Sequence, residues 1–194
     1  LECHCNMVRV WGGGFYEDRE FFDWCDEHGL MVWQDFMFAC EFPPQDERFL
    51  AMVAREAEWV VKRLRNHPSL ALWSGDNEID SCFLTGNIPP KLLPSDNKIT
   101  REVLKQAVKN FDPWRDYLES SPYVSDAVVR RWQSGEVDAA FDACPELHLY
   151  PVASTIRADL RRTNAHFISE TGPIFINAMA ETPEFVAREL PRAQ

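Results

Sequence analysis

Short apolar runs alternate with longer amphipathic segments along the first 78 residues, and this alternation limits the possible folds more than any other feature. The runs at 7–11, 30–35 and 70–73 have the length and composition of buried strands. Between them, 17–28 and 46–65 place apolar side chains at helical spacing and charges on the opposite face. This order of strand, helix, strand, helix and strand predicts an α/β protein with a parallel sheet.

The rest of the chain continues this pattern less regularly. Residues 88–95 contain three prolines and predict a loop, whereas 100–110 predict a helix. For 111–144 we expect a surface excursion over the strand ends, with a short charged segment around Trp132 that is compatible with a helix. The closing third predicts strands at 147–150 and 165–170 and helices at 155–162 and 183–190.

Length and charge restrict the class of protein and its partners. A chain of 194 residues with 45% apolar composition can bury a core, and we predict a single domain over 1–194. Acidic residues number 31 against 20 basic ones, which argues against nucleic acid and anionic membranes as partners. This charge balance favours neutral or weakly charged ligands. No apolar run reaches the length of a membrane span.

Neither the cysteines nor the glycine run predicts a metal or a cofactor. The six cysteines form no CxxC pair, and we expect most of them to be buried thiols. Cys3, His4 and Cys5 lack the additional ligands that a zinc site needs, so we predict no metal there. The glycines at 12–14 lack the dinucleotide-binding spacing and the P-loop lysine, which favours a tight turn and no bound cofactor.

Three predicted strands end in an acid, namely Asp35, Glu78 and Glu170. Because the carboxyl ends of parallel strands meet at one edge, these acids are expected to converge on a pocket. Two facing carboxyl groups in such a pocket suit glycoside hydrolysis, with one acid protonated and the other ionised. Negative charge on Asp76 and Asp80 favours a proton on Glu78. Asp35 is equally compatible with a substrate role and with capping the loop that follows it.

Other strand-end residues supply a cation and aromatic surfaces. Glu170 needs a cation to remain ionised, and Arg9 points from a neighbouring strand end in the same direction. Trp11, Trp33 and Trp73 have apolar faces of the kind that stack on sugar rings. Core packing is the alternative for all three, and it is favoured for Trp33.

Four segments of the chain closely resemble the catalytic barrel of glycoside hydrolase family 2, on its β-mannosidase side. They read NMVRVWGGGFYE at 6–17, CDEHGLMVWQDFMFAC at 25–40, RNHPSLALWSGDNE at 65–78 and FISETG at 167–172. The resemblance implies a (β/α)8 barrel, a β-linked glycoside as substrate, and a retaining double-displacement mechanism. Glu78 takes the acid/base position in that family, and Glu170 takes the nucleophile position.

The resemblance also implies substrate-binding roles for six further residues. Asn77 would bind the sugar 2-hydroxyl, and Arg9 would hold the nucleophile charged. Trp11 and Asp35 would line the glycone subsite, and His148 and Tyr150 would flank it. The sequence departs from the family at two places. The family often has Cys-Gly-Asn-Asn-Glu where 74–78 read Ser-Gly-Asp-Asn-Glu, and Phe-Gly where Thr171 and Gly172 follow the nucleophile.

The chain is predicted to be a partial barrel. The family's first strand would lie before Leu1 and its eighth after Gln194, and the β-sandwich domains would also lie outside the chain. A barrel with two open edges is expected to be inactive or poorly stable until the parent chain or a partner supplies the missing strands.

The activity has several alternatives at this level. A retaining exo-acting glycosidase needs carboxyl groups of Glu78 and Glu170 about 5 to 5.5 Å apart, against about 6.5 to 9.5 Å for inversion. A non-catalytic carbohydrate-binding relic is the alternative from another class. Within the family, β-galactosidase, β-glucuronidase and exo-β-glucosaminidase activities use similar barrels. The sequence indicates neither the exact sugar nor the cellular compartment.

Overall fold

The computed structural model describes residues 5–136, 146–150, 158 and 161–171. The chain divides into two compact units, Leu1–Val137 and Asp138–Gln194. Each unit contains parallel strands.

The first unit is built on a four-stranded parallel sheet whose strands follow one another in chain order. The strands are β1 (Met7–Val10), β2 (Met31–Asp35), β3 (Leu70–Ser74) and β4 (Asp116–Leu118). The connecting helices are α1 (Arg19–His28), α2 (Glu47–Leu64), α3 (Ile79–Thr85), α4 (Leu104–Phe111) and, after β4, α5 (Asp126–Gln133). The predicted alternation of strands and helices is confirmed.

Helix boundaries follow local chemistry that is visible in the sequence. The Asp46 carboxylate accepts a hydrogen bond from the Phe49 amide and begins α2. Gly29 ends α1 in a left-handed conformation, with φ of 66°. Before α4 the chain makes a 3-10 helix at Pro94–Asp96 and a π-helical turn at Ile99–Val103, so the predicted helix at 100–110 begins as a π-turn.

The core of this unit lies between the sheet and the apolar face of α2. That face buries Val53, Ala57, Val60, Val61 and Leu64. Trp33 is 5% exposed, which confirms core packing for it. Trp73 is completely buried and stacks on Phe36, and its indole N–H donates to Asp112 over 2.9 Å. The prediction that Trp73 offers a face to a sugar is therefore wrong.

The segment predicted as a surface excursion instead contains β4. This strand has only three residues, of which Asp116 is exposed and the other two are partly buried, so no apolar run reveals it. Ser120 and Ser121 follow it and are completely buried. The cysteine prediction holds for Cys25 and Cys82, whereas Cys5 and Cys40 are exposed; Cys3 and Cys144 lie outside the described residues.

The second unit contains a parallel pair, β5 (Glu146–Leu149) and β6 (Phe167–Thr171). Both predicted strands of the closing third are therefore present, displaced by one or two residues. Most of the predicted helix at 155–162 and all of that at 183–190 lie outside the described residues. Among the described helices, none has both the length and the apolar character to cross a membrane.

The buried face of α2 makes a prediction about stability. Leu64→Ala should lower the free energy of unfolding by about 2–5 kcal/mol, because Leu64 is 1% exposed and its truncation leaves a cavity. Met52 lies on the same helix and is 47% exposed, so Met52→Ala serves as the control, with a change of about 0.5 kcal/mol. Urea denaturation measures both; equal losses would contradict this placement of the core.

Candidate active site

The loops after β2, β3 and β4 are joined by backbone hydrogen bonds around Asn77. The Asn77 amide donates to the Phe38 carbonyl over 2.9 Å, and its carbonyl accepts from the Cys40 amide over 2.8 Å. On the other side, the Glu78 amide donates to the Ser121 carbonyl over 2.8 Å. Asn77 and Glu78 are thus held on both sides, as if the sheet continued by one more rung.

Glu78 adopts a backbone conformation that is rare for a residue with a side chain. Its φ and ψ are 64° and 5°, in the left-handed region, and helix α3 begins at the next residue. Such a conformation costs of the order of 1–3 kcal/mol and persists only where surrounding contacts impose it. The bonds around Asn77 supply those contacts, so the position of the half-buried Glu78 side chain is set by the backbone.

Only glycine fits the turn that carries β3 into this segment. A Cβ atom at Gly75 would lie 2.3 Å from the Glu119 carbonyl oxygen and 2.5 Å from the Tyr117 hydroxyl. The chain therefore passes directly against the end of β4 before it reaches Asn77.

A thiol contacts both members of the Asn77–Glu78 pair. Cys40 Sγ donates to Glu78 Oε2 over 3.4 Å and accepts from Asn77 Nδ2 over 3.6 Å. Below it, the Cys82 thiol donates to the Cys40 carbonyl over 3.1 Å. Burial raises the pKa of Cys82 to about 11, so this thiol stays protonated at neutral pH. Cys40 has no predicted role. Only its position in the aromatic loop after β2 could have indicated that it lies at the site.

Arg9 connects the ends of three strands. Its guanidinium donates to the Asp35 carboxylate through Nε, over 3.2 Å, and through Nη2, over 2.8 Å. Nη2 also donates to Asn77 Oδ1 over 3.1 Å, which fixes the orientation of the amide. The guanidinium lies 5.1 Å from the centre of the Trp33 ring.

Asp35 is completely buried at the centre of this cluster. It also accepts from the Trp33 indole over 2.8 Å and from the Gly12 amide over 3.0 Å. Burial raises the pKa of Asp35, while Arg9 and these donors oppose the rise. Asp35 thus holds the turn after β1, rather than the loop after β2. Its contact with substrate stays a prediction.

The remaining predicted residues of the first unit lie at the same edge. Trp11 follows β1 and is 46% exposed, so its ring is accessible for stacking. The glycines after it form the predicted turn, in which the Gly14 amide donates to the Trp11 carbonyl over 3.0 Å.

Two acids beside Glu78 in the sequence are completely buried. Asp76 accepts from Ser120, and Asp80 forms an ion pair of 2.6 Å with Arg101. Sequence reasoning missed Ser120 because it missed β4. Arg101 lies in a predicted helix, and the apolar spacing of that helix does not indicate that Arg101 forms a buried ion pair.

In the second unit, His148 and Glu170 lie opposite each other on β5 and β6. His148 Nδ1 is 2.7 Å from Glu170 Oε2, and the imidazole is only 4% exposed. Tyr150 directly follows β5 and is 50% exposed. His148 therefore contacts the predicted nucleophile itself.

One cluster of possible metal ligands lies at the opposite ends of the strands. Asp23, Asp26 and His67 bring three ligand atoms within 4.8 Å of one another. Burial pushes the pKa of Asp26 upward, but hydrogen bonds from Ser69 and His67 outweigh it and leave the pKa lowered. These bonds, of 2.8 Å from the Ser69 amide and 2.6 Å to His67 Nδ1, fasten α1 to the start of β3.

The sequence pattern of the glycosyl hydrolases family 2, TIM barrel domain, matches residues 5–133. The chain belongs to this family. The family 2 assignment confirms the α/β prediction of a partial (β/α)8 barrel, and the matched residues include β1 to β4 with Arg9, Asp35, Asn77 and Glu78.

Among curated relatives, this family 2 chain is similar to beta-mannosidases. It is 35% identical over 180 residues to the Bos taurus beta-mannosidase, which covers 89% of this chain and 20% of that protein. It is 40% identical over 128 residues to the Mus musculus beta-mannosidase, covering 63% of this chain and 15% of that one. The chain thus spans about a fifth or less of the length of these relatives.

Two solved structures are similar to this chain. The beta-D-mannosidase of Dictyoglomus thermophilum matches 85% of this chain and 22% of its own, with 34% identity and a TM-score of 0.65. A Bacteroides uniformis beta-glucuronidase matches 86% of this chain and 20% of its own, with a TM-score of 0.60. At 17% identity, the second match bears on the fold alone.

The buried ion pair makes a prediction about the site. Asp35→Asn should lower the free energy of unfolding by about 3–5 kcal/mol, because it breaks the buried ion pair with the Arg9 guanidinium. Asp116 is exposed at the start of β4, so Asp116→Asn is the matched control and should change stability by about 0.5 kcal/mol. Chemical denaturation compares the two, and similar small effects would show that the pair is not essential.

Proposed function

We propose that this chain carries the catalytic residues of a retaining, exo-acting glycoside hydrolase that removes terminal β-mannosyl units. Glu78 is the general acid and then the general base, and Glu170 is the nucleophile. The observation that carries the proposal is the left-handed conformation of Glu78, imposed beside an Asn77 that Arg9 orients. The similarity to beta-mannosidases supports the choice of sugar.

The first step is attack on the anomeric carbon. The Glu170 carboxylate forms a bond to this carbon while the bond to the leaving oxygen breaks, and Glu78 donates its proton to that oxygen. The two carboxyl groups must then be about 5 to 5.5 Å apart. His148 Nδ1 lies 2.7 Å from Glu170 Oε2 and helps to position the nucleophile.

The second step reverses these roles. Water attacks the anomeric carbon of the glycosyl ester, and Glu78 accepts a proton from that water. Glu170 leaves as a carboxylate, so the product keeps the β configuration. Asn77 binds the sugar 2-hydroxyl, and Trp11, Asp35 and Tyr150 contribute to the glycone subsite. Arg9 helps to hold Glu170 charged, as the sequence predicts.

The substrate is a neutral carbohydrate, in keeping with a net charge of −11 on the chain. Because the relatives are about five times longer, the activity is proposed for a full-length protein that contains this chain. Its remaining segments would supply the other barrel strands and the β-sandwich domains.

The acid/base role is tested with a series of leaving groups. In the full-length protein, Glu78→Gln should reduce kcat/KM by about 10²–10⁴-fold for a mannoside with an alcohol leaving group, which requires protonation. The loss should be far smaller for dinitrophenyl β-mannoside, whose leaving group departs without a proton. Glu58→Gln, on the exposed face of α2, is the control and should leave both rates unchanged.

Two outcomes would contradict the proposal. One is an equal loss on both substrates, since an acid catalyst must discriminate between leaving groups. The other is an α-configured product in the first minutes of turnover, observed by proton NMR, because this would indicate inversion.

A further inference from the structure

Two buried carboxyl groups flank Glu78 in the sequence, two residues away on each side. Asp76 and Asp80 are both completely buried, so water cannot compensate their charges. The Ser120 hydroxyl links them: it donates to Asp76 Oδ1 over 2.5 Å and accepts from the Asp80 backbone amide over 3.3 Å. Like charges in such a setting are unfavourable unless a cation or a proton offsets them.

Among the described residues, no cation forms an ion pair or a hydrogen bond with Asp76. Its Oδ1 accepts from the Ser120 hydroxyl over 2.5 Å and from the Ile79 amide over 3.2 Å. Its Oδ2 is buried and has no hydrogen-bond partner within the described part of the chain. An ionised carboxylate would leave this oxygen both charged and unsatisfied, which is costly in a buried site.

Asp80, in contrast, has a cation in direct contact. Its Oδ2 accepts from Arg101 Nη2 over 2.6 Å and from the Val124 amide over 3.0 Å. Its Oδ1 is likewise buried and without a hydrogen-bond partner among the residues described. The negative charge of the pair therefore belongs on Asp80.

The other charged groups nearby complete the balance. Glu119, after β4, lies 3.8 Å from Arg101 and 2.6 Å from Lys105. Three acids therefore face two cations, and one proton removes the excess. Tyr117 of β4 adds no charge, because burial raises its phenol pKa well above the usual value.

We propose that Asp76 is protonated at neutral pH, so that the Asp76–Asp80 pair carries a single negative charge matched by Arg101. Asp76 is then a positioning residue: it supports the left-handed turn at Glu78 through Ser120 and the Ile79 amide without adding charge beside the acid/base. Burial and the neighbouring Asp80 raise the pKa of Asp76 well above its usual range, in agreement with this arrangement. A neutral Asp76 cannot favour a proton on Glu78 through its charge, contrary to the expectation from the sequence.

Infrared spectroscopy of the full-length protein detects this proton directly. In protein labelled with [4-¹³C]aspartate, we expect an isotope-shifted carbonyl band of a protonated carboxylic acid at about pH 7, where exposed aspartates are ionised. Asp76→Asn should remove it, whereas Asp116→Asn, at an exposed site, should not. Absence of the band from the wild-type protein would overturn the proposal, even if the Asp76→Asn variant fails to fold.

The pH dependence of stability provides a second test with a definite sign. The folded state keeps a proton that the unfolded Asp76 releases above its ordinary pKa, so this residue lowers stability as pH rises. Asp76→Asn lacks this dependence. Its Tm relative to wild type should therefore increase from about pH 5 to about pH 8. A relative Tm that falls over this range would mean that Asp76 is ionised and stabilising.

The pH profile of activity separates positioning from packing, and this part rests on the proposed function of Glu78. Asp76→Asn should leave the basic limb of kcat/KM in place, because an amide replaces a neutral acid. Asp80→Asn removes the buried negative charge that pairs with Arg101 over 2.6 Å and should move that limb down by about 1 pH unit. A comparable shift in Asp76→Asn would overturn the proposal. If Glu78 is not the acid/base, neither variant moves the profile, while the infrared and stability results still report the proton.

Discussion

The ion pair between Arg9 and Asp35 is the interaction on which the rest of the site depends. It joins β1 to β2, and through the bond from Arg9 to Asn77 it reaches the end of β3. Asp35 is completely buried, so its negative charge needs the Arg9 guanidinium. The same carboxylate holds the Gly12 amide, where a Cβ atom would lie 2.4 Å from the Phe38 carbonyl oxygen. One buried carboxylate thereby sets both the turn after β1 and the orientation of the Asn77 amide.

Neutralisation of buried acids recurs across this strand-end edge and separates supporting acids from the reactive one. Asp35 is matched by Arg9, and Asp80 is matched by Arg101. With Asp76 neutral, the half-buried Glu78 differs from these compensated acids, and its carboxylate contacts the Cys40 thiol. A general acid needs this kind of separation, because its proton must be available near the working pH.

The sequence predicted the parts of the fold that have strong periodicity. α2 and the strands ending at Asp35 and Ser74 follow from apolar runs and helical stripes, and the Asp46 and Gly29 boundaries follow from capping chemistry. β4 was not predicted because its three residues make no apolar run. Ser120 and Ser121, which follow β4, were missed for the same reason. Trp73 was misassigned because a strand-end tryptophan has the same pattern whether it faces the core or a ligand. The contact between His148 and Glu170 depends on the register of β5 and β6, which no single strand encodes.

The most direct test of the account is covalent trapping in the full-length protein. A 2-deoxy-2-fluoro-β-mannosyl donor with a good leaving group slows both chemical steps and allows the glycosyl-enzyme to accumulate. Peptide mass spectrometry should place the sugar on Glu170, and Glu170→Gln should abolish labelling together with turnover. Labelling of a different carboxylate, or undiminished turnover by the Glu170→Gln variant, would contradict the two-glutamate mechanism.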